Sequence, residues 1–222
     1  MRSLNYIFTF YANLVTNVFI DDLAFELLAL SLAALMILYM TLSIYMGYRR
    51  TGDKDMESHL KPGMAPLAIL GLVILALGLG GEFVWPLPGA FNILYYDMFT
   101  LVGIVIIAFA VTIRLGYKMQ YVGLFAAYSG LIAMFYGARA YQLNIIGSET
   151  TELLLMYLAF GAVGILSYPV TLIVDRVPQK GNPKWKGWTV ILVLFWIAVI
   201  GAMIASGVIG FGAVFQHLAS PP

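Results

Sequence analysis

From Leu27 to Tyr48 the chain runs without a single charged side chain, through apolar residues interrupted only by uncharged ones. A helix that crosses the roughly 30 Å hydrocarbon core of a bilayer needs about 20 such residues, so this stretch reads as a membrane span. Asp21, Asp22 and Glu26 lie at its head, which places three acids at or just inside one membrane face. Similar apolar stretches recur along the chain. Only 10% of the residues are charged, against about 25% in an ordinary soluble domain.

The expected fold is therefore all-α: a polytopic integral membrane helix bundle forming a single domain over residues 1–222. About six transmembrane helices are expected, at roughly 22–48, 64–80, 98–117, 120–143, 150–174 and 188–211. Residues 4–19 read as a short interfacial helix, with Tyr6, Phe8, Phe10, Tyr11 and Phe19 as aromatic anchors. Asn5, Thr9, Asn13 and Asn17 interrupt any signal-peptide core.

Punctuation sets the connections. Residues 49–63 are the most polar stretch and are expected to form a loop, with Pro66 in the first turn of the following helix. Gly80 to Asp97, GGEFVWPLPGAFNILYYD, is broken by Pro86, Pro88 and Gly89 yet apolar, which suggests an irregular lid folded over the bundle. Asp97 would then cap the third helix. Pro169 suggests a kink in the fifth. Gly116, Gly123, Gly130 and Gly137 recur every seven residues, and the last three would line one side of the fourth helix so that a neighbour can approach closely.

Charge orients the bundle. Ten of the twelve Lys and Arg residues fall in or beside the connections after the first, third and fifth spans, and only Arg2 and Arg139 fall elsewhere. The positive-inside rule then predicts a multi-pass cell-membrane protein with both termini outside. The acids divide the other way, with Asp21, Asp22, Glu26, Glu82, Asp97, Glu149 and Glu152 on the outer side. A net charge of +1 gives no footprint for nucleic acid, so the expected partner is the lipid bilayer, with a homo-oligomer or a membrane complex also compatible. The chain has no Cys, which removes disulfides, thiolate metal sites and cysteine nucleophiles.

The sharpest site hypothesis is a shared acidic centre. Asp22 and Glu26, four residues apart, lie on one face of the first helix. Glu82 sits at the C-terminal end of the second, where the helix dipole disfavours an anion. Like charges so placed share a proton, bind a cation or recruit a counter-charge, and Arg139 is the basic residue that the topology brings nearest. Asp97, Glu149 and Tyr96 would line the mouth. Carboxylates alone suit a hard divalent cation such as Ca²⁺, Mg²⁺ or Mn²⁺. His59 and His217 fall on opposite sides of the membrane, so they cannot share a site. The bland alternatives stand beside this reading: acids that only cap helices, and an Arg139 that snorkels to the surface. Tyr117, Tyr121, Tyr128, Tyr136 and Tyr141 form either an interfacial belt or a lined polar path. HExxH, Walker A, GxSxG and dinucleotide motifs are absent.

The blocks NVFIDDLAFELLALSLAA, GGEFVWPLPGAFNILYYD and FGAVGILSYPVTLIVD resemble those of an archaeal and bacterial family of multi-span membrane proteins known as a domain of unknown function. The matching parts are Asp22 and Glu26 at the head of the first helix, and Trp85 to Gly89. The resemblance reaches from about Asn17 to Asp175. It implies one shared architecture and transfers no activity. The residues themselves suggest cation or proton binding or conduction and no catalytic residue. A non-catalytic accessory subunit of a respiratory-type membrane complex is the alternative, followed by a lipid- or quinone-interacting membrane enzyme with its substrate under the WPLPG segment.

Overall fold

The computed structural model describes residues 22–53, 55–180 and 187–219. The interfacial helix expected at 4–19, Asp21, and Lys184 and Lys186 of the fifth connection lie outside the described residues. Six long helices follow one another: α1 (Asp22–Thr51), α2 (Met56–Val84), α3 (Ala90–Arg114), α4 (Gln120–Gln142), α5 (Thr150–Lys180) and α6 (Gly187–Ala219). All six are long and apolar enough to cross a membrane. Their outward faces carry bare apolar side chains such as Ile69, Phe83, Val208 and Phe211, a surface that only lipid solvates. The chain is a multi-pass membrane protein.

Each helix packs on its neighbours in sequence, and α6 closes the ring against α1. The bases gather at one end as the charge pattern predicts, with Asp53, Asp55, Glu57 and Asp175 among them, and the other described acids lie at the opposite end. Asp22, Glu82 and Asp97 lie at one end, and Arg49, Arg50, Lys61, Arg114 and Arg176 at the other.

Two expected loops are shorter than the sequence suggests. The polar stretch after α1 is mostly helical, because Asp55 caps α2 by accepting from the Ser58 backbone N–H at 3.2 Å. That starts the helix eight residues before Met64 and carries Pro62 and Pro66 inside it. The predicted lid between α2 and α3 is a tight turn. Trp85, left-handed at φ 55°, donates its backbone N–H to the Gly81 carbonyl at 2.9 Å, and Gly89 turns back at φ 52°. Asn92, fully buried, clamps the turn from below: its amide donates to the same Gly81 carbonyl at 3.1 Å, and its oxygen accepts the Leu87 N–H at 3.2 Å. Helix α3 thus begins at Ala90, so Asp97 sits in its second turn and caps nothing.

At the basic end, the α4 N-terminus has no cap of its own. Asp175 of α5 supplies one, accepting the Met119 and Gln120 N–H groups at 3.0 and 2.8 Å. In the α1–α2 turn, the Asp55 backbone N–H and then the His59 ring hold the Asp53 carboxyl below the usual carboxylate range. A depressed carboxyl stabilises the folded turn above its unfolded titration range, and that contribution is lost as pH falls through its folded value. In detergent micelles the Asp55 amide resonance should therefore titrate with a midpoint below the ordinary Asp value of 3.8, and Asp53→Asn should abolish that titration.

Lipid gives helices no hydrophobic reason to associate, so close backbone approach and interhelical hydrogen bonds hold the bundle. The predicted glycine row is the α4–α5 seam: Gly123 faces Thr171, Gly130 faces the backbone of Gly161 and Gly164, and Gly137 faces Tyr157. Helices α2 and α3 meet the same way, since a Cβ on Gly103 would lie 2.6 Å from the Leu75 nitrogen, and one on Gly78 2.7 Å from the Thr100 nitrogen. Gly80, two residues further on, has nothing within 4 Å. Gly78→Ala should lower stability in detergent by about 1–3 kcal/mol through overpacking. Gly80→Ala should leave the thermal midpoint unchanged or slightly raised, as removing a helical glycine does.

Candidate functional site

The second turn of α3 organises the acidic end, because successive side chains there project to different neighbours. Tyr96 points to α1 and α2. Its hydroxyl donates to Asp22 Oδ2 at 2.7 Å, and its ring lies against Gly81, where only a residue without a side chain fits. Asp97 points to α4 and accepts the Tyr136 hydroxyl at 2.5 Å. The Tyr157 hydroxyl of α5 donates to the Leu94 carbonyl in the same turn. Tyr95 stacks on Phe99 with ring centroids 6.3 Å apart.

Two carboxyl pairs surround this turn. Glu26 lies one helical turn below Asp22 and feels its charge. It is 0% exposed, and both carboxyl oxygens are buried without a hydrogen-bond partner. Glu82, in the last turn of α2, lies against the Asp97 carboxyl, and its Oε1 is likewise buried and unpartnered. Tyr96 bonds Asp22 and feels the Glu26 charge, and Tyr136 bonds Asp97 and feels the Glu82 charge. No Lys or Arg forms an ion pair with either carboxyl pair among the described residues.

Below this layer a partly open apolar cavity of about 130 Å³ lies among the helices, bounded by Tyr95 and Tyr157 at its acidic end. A second cavity of about 90 Å³ continues it toward the basic end and shares Ile37, Ile106, Phe109, Val163 and Ser167 with it.

The chain matches, over residues 16–220, the family described as a protein of unknown function, DUF981. It belongs to that family. No curated protein and no solved structure matches it. The DUF981 match runs beyond the Asn17–Asp175 blocks and takes in α6, which therefore belongs to the shared architecture. It contacts α1 along its length, with the Ser31 hydroxyl donating to the Met203 carbonyl at 3.0 Å and the Trp196 indole donating to Thr41 at 3.0 Å.

The residues anticipated for one acidic centre divide in this DUF981 protein. Asp22, Glu26 and Tyr96 come together, and Glu82 joins Asp97 instead. The Tyr96 ring lies on α2 at Gly81 and reaches across to Asp22, while Glu82 meets the neighbouring residue of α3. Among the described residues no group of three or more His, Asp or Glu side chains could hold a metal ion. Arg139 is exposed and donates to Gln142 at 2.8 Å, one turn along its own helix. It neutralises neither pair. Glu149 is exposed at the same end and acts on Tyr95 through its charge. Tyr117, Tyr121 and Tyr128 face outward, as a belt would, whereas Tyr136 belongs to the site.

Tyr157 and Asn92 carried no signal in the sequence. Each is one polar residue in an apolar stretch, and its role depends on a partner in another helix or turn. The WPLPG residues line neither axial cavity, because that segment is the exposed turn.

An unpaired buried carboxyl is destabilising relative to an apolar residue of similar volume. Glu26→Met is expected to raise the thermal midpoint in detergent, by the equivalent of about 1–2 kcal/mol. Tyr96→Phe keeps the ring and loses the bond to Asp22, which should cost about 1 kcal/mol. Opposite signs for the two variants would separate a residue kept at a cost from one kept for structure.

Proposed function

We propose that this DUF981 protein binds exchangeable protons in its acid–tyrosine layer. The observation that carries the reading is Glu26: fully buried, unpartnered at both oxygens, and with a second carboxylate as its charged neighbour. Lipid-embedded carboxyls without a cation are stable when they carry a proton. Nearby phenols supply hydroxyls that can accept and pass it on. Glu82 against Asp97 repeats the arrangement of two adjacent carboxyls, and Tyr136 closes it by donating to Asp97.

Protons fit better than metals here because three carboxylates are not gathered at one point. The positive-inside rule places the basic end in the cytoplasm, so the layer faces outward in the cell membrane and both ends of the described chain lie outside. Proton occupancy then responds to the external pH. The apolar column beneath the layer gives protons no continuous polar route inward in this conformation, so the reading is one of binding, with passage requiring a rearrangement.

Infrared difference spectroscopy on protein reconstituted in lipid reads this directly. The native protein should show a protonated-carboxyl C=O band at neutral pH, and Glu26→Gln should lose part of it. Tyr96→Phe should shift the band while leaving its area. An identical band in Glu26→Gln would mean that Glu26 carries no proton, and the proposal would fall.

A further inference from the structure

We propose that the axial column holds the chain of a lipid-borne molecule, a long prenyl or acyl chain bearing one hydrogen-bonding oxygen. The inference stands apart from the proton reading, because it rests on the cavities and on a hydroxyl rather than on the carboxyls.

The two cavities share five lining residues, and their lining along α3 extends from Tyr95 in the first to Ile113 in the second. Those residues are eighteen positions apart on α3, or about 27 Å at 1.5 Å per residue. The column is therefore nearly as long as the hydrocarbon core is thick. Its cavities, of about 130 and 90 Å³, are too slight for a folded or double-chain lipid. A long, thin apolar molecule matches that shape.

One polar atom in the column lacks a partner. The Thr41 hydroxyl donates to the Ile37 carbonyl at 2.8 Å, Ser167 to Val163 at 2.7 Å, and Thr171 to Tyr168 at 2.8 Å. Each satisfies itself on its own helix, as Ser and Thr in membrane helices do. Ser129 does not. It lines the first cavity, is 8% exposed, and its hydroxyl is buried with no partner. A buried hydroxyl left unmade costs about 1–3 kcal/mol, and an apolar cavity offers no cluster of polar groups to hold a water there. A ligand oxygen at that point would satisfy it.

The way in is the seam between α3 and α4. The tight glycine seams join α2 to α3 and α4 to α5, whereas α3 and α4 make the loosest contact in the ring. Partly exposed Leu101 and Val105 of α3 line the first cavity, and α4 contributes small Ala126 and Ala133 to the same lining. A molecule dissolved in the bilayer reaches such a seam laterally and needs no aqueous step.

The test is equilibrium binding to the full chain in detergent, with fluorescent parinaric acid as the probe and palmitic acid and decylubiquinone as competitors. Saturable binding is expected. It should weaken about three- to tenfold in Ser129→Ala, the loss of one hydrogen bond, and disappear in Ala133→Phe, which fills the cavity from α4. Displacement by decylubiquinone alone would assign a prenylated ring, and displacement by palmitic acid alone an acyl chain. Absence of saturable binding, or unchanged affinity in Ser129→Ala whatever Ala133→Phe does, would overturn the proposal. Neither result would alter the carboxyl band that tests the proton reading.

Discussion

Close approach between helix backbones is the constraint on which everything else in this bundle depends. Burial of apolar side chains against one another gains little when the alternative surroundings are lipid tails. What remains is contact made possible by missing side chains. Gly78 and Gly103 bring α2 onto α3, and Gly130 with Gly161 and Gly164 brings α4 onto α5. Two rigid hairpins result. The seam between them has no such glycines in contact, and the axial space opens beside it. Gly81 takes part in the same economy, since the Tyr96 ring that carries the hydrogen bond to Asp22 occupies the space its side chain would fill.

Against that tight packing, Glu26 is an anomaly with a direction. A methionine would fill the same volume without a desolvated carboxyl, so packing alone gives no reason to keep an acid there. Asp22, one turn above, removes the simplest remedy because it adds negative charge. Arg139, the one Arg or Lys among the described residues of the spans at this end, is exposed and satisfies Gln142. The layer is thus built from carboxyls and phenols, groups whose common currency is the proton.

The sequence made the architecture legible because spans depend on length and hydropathy, and those are local. Charge separation between the two ends followed from the same pattern, as did the role of the glycine row in α4. Boundaries were less legible where a single side chain decides them: Asp55 moves the start of α2 to Met56, and Asn92 holds the WPLPG segment as a tight turn rather than a lid. The site was visible as a set of acids on one side, through Asp22, Glu26, Glu82 and Asp97. Its division into two pairs was not, because that depends on Tyr96 and Asp97, adjacent in sequence, meeting different carboxyls, Asp22 and Glu82. Tyr157 and Ser129 were not legible at all. A lone polar residue in an apolar helix shows its meaning only when its partner, or the lack of one, is seen.

One turn of α3 touches both the carboxyl layer and the cavity. Leu94 gives its carbonyl to Tyr157, Tyr95 bounds the cavity, Tyr96 holds Asp22, and Asp97 holds Tyr136. These are four consecutive residues on a rigid helix, so they move as a unit. Any displacement of α3 along its loose seam with α4 changes the hydrogen bonds of the carboxyl layer and the end wall of the cavity together. The hairpin α2–α3, locked by Gly78 and Gly103, would carry Glu82 with it. The fold therefore places its titratable groups and its apolar interior on the same mechanical element, and the α3–α4 seam is where that element is least restrained.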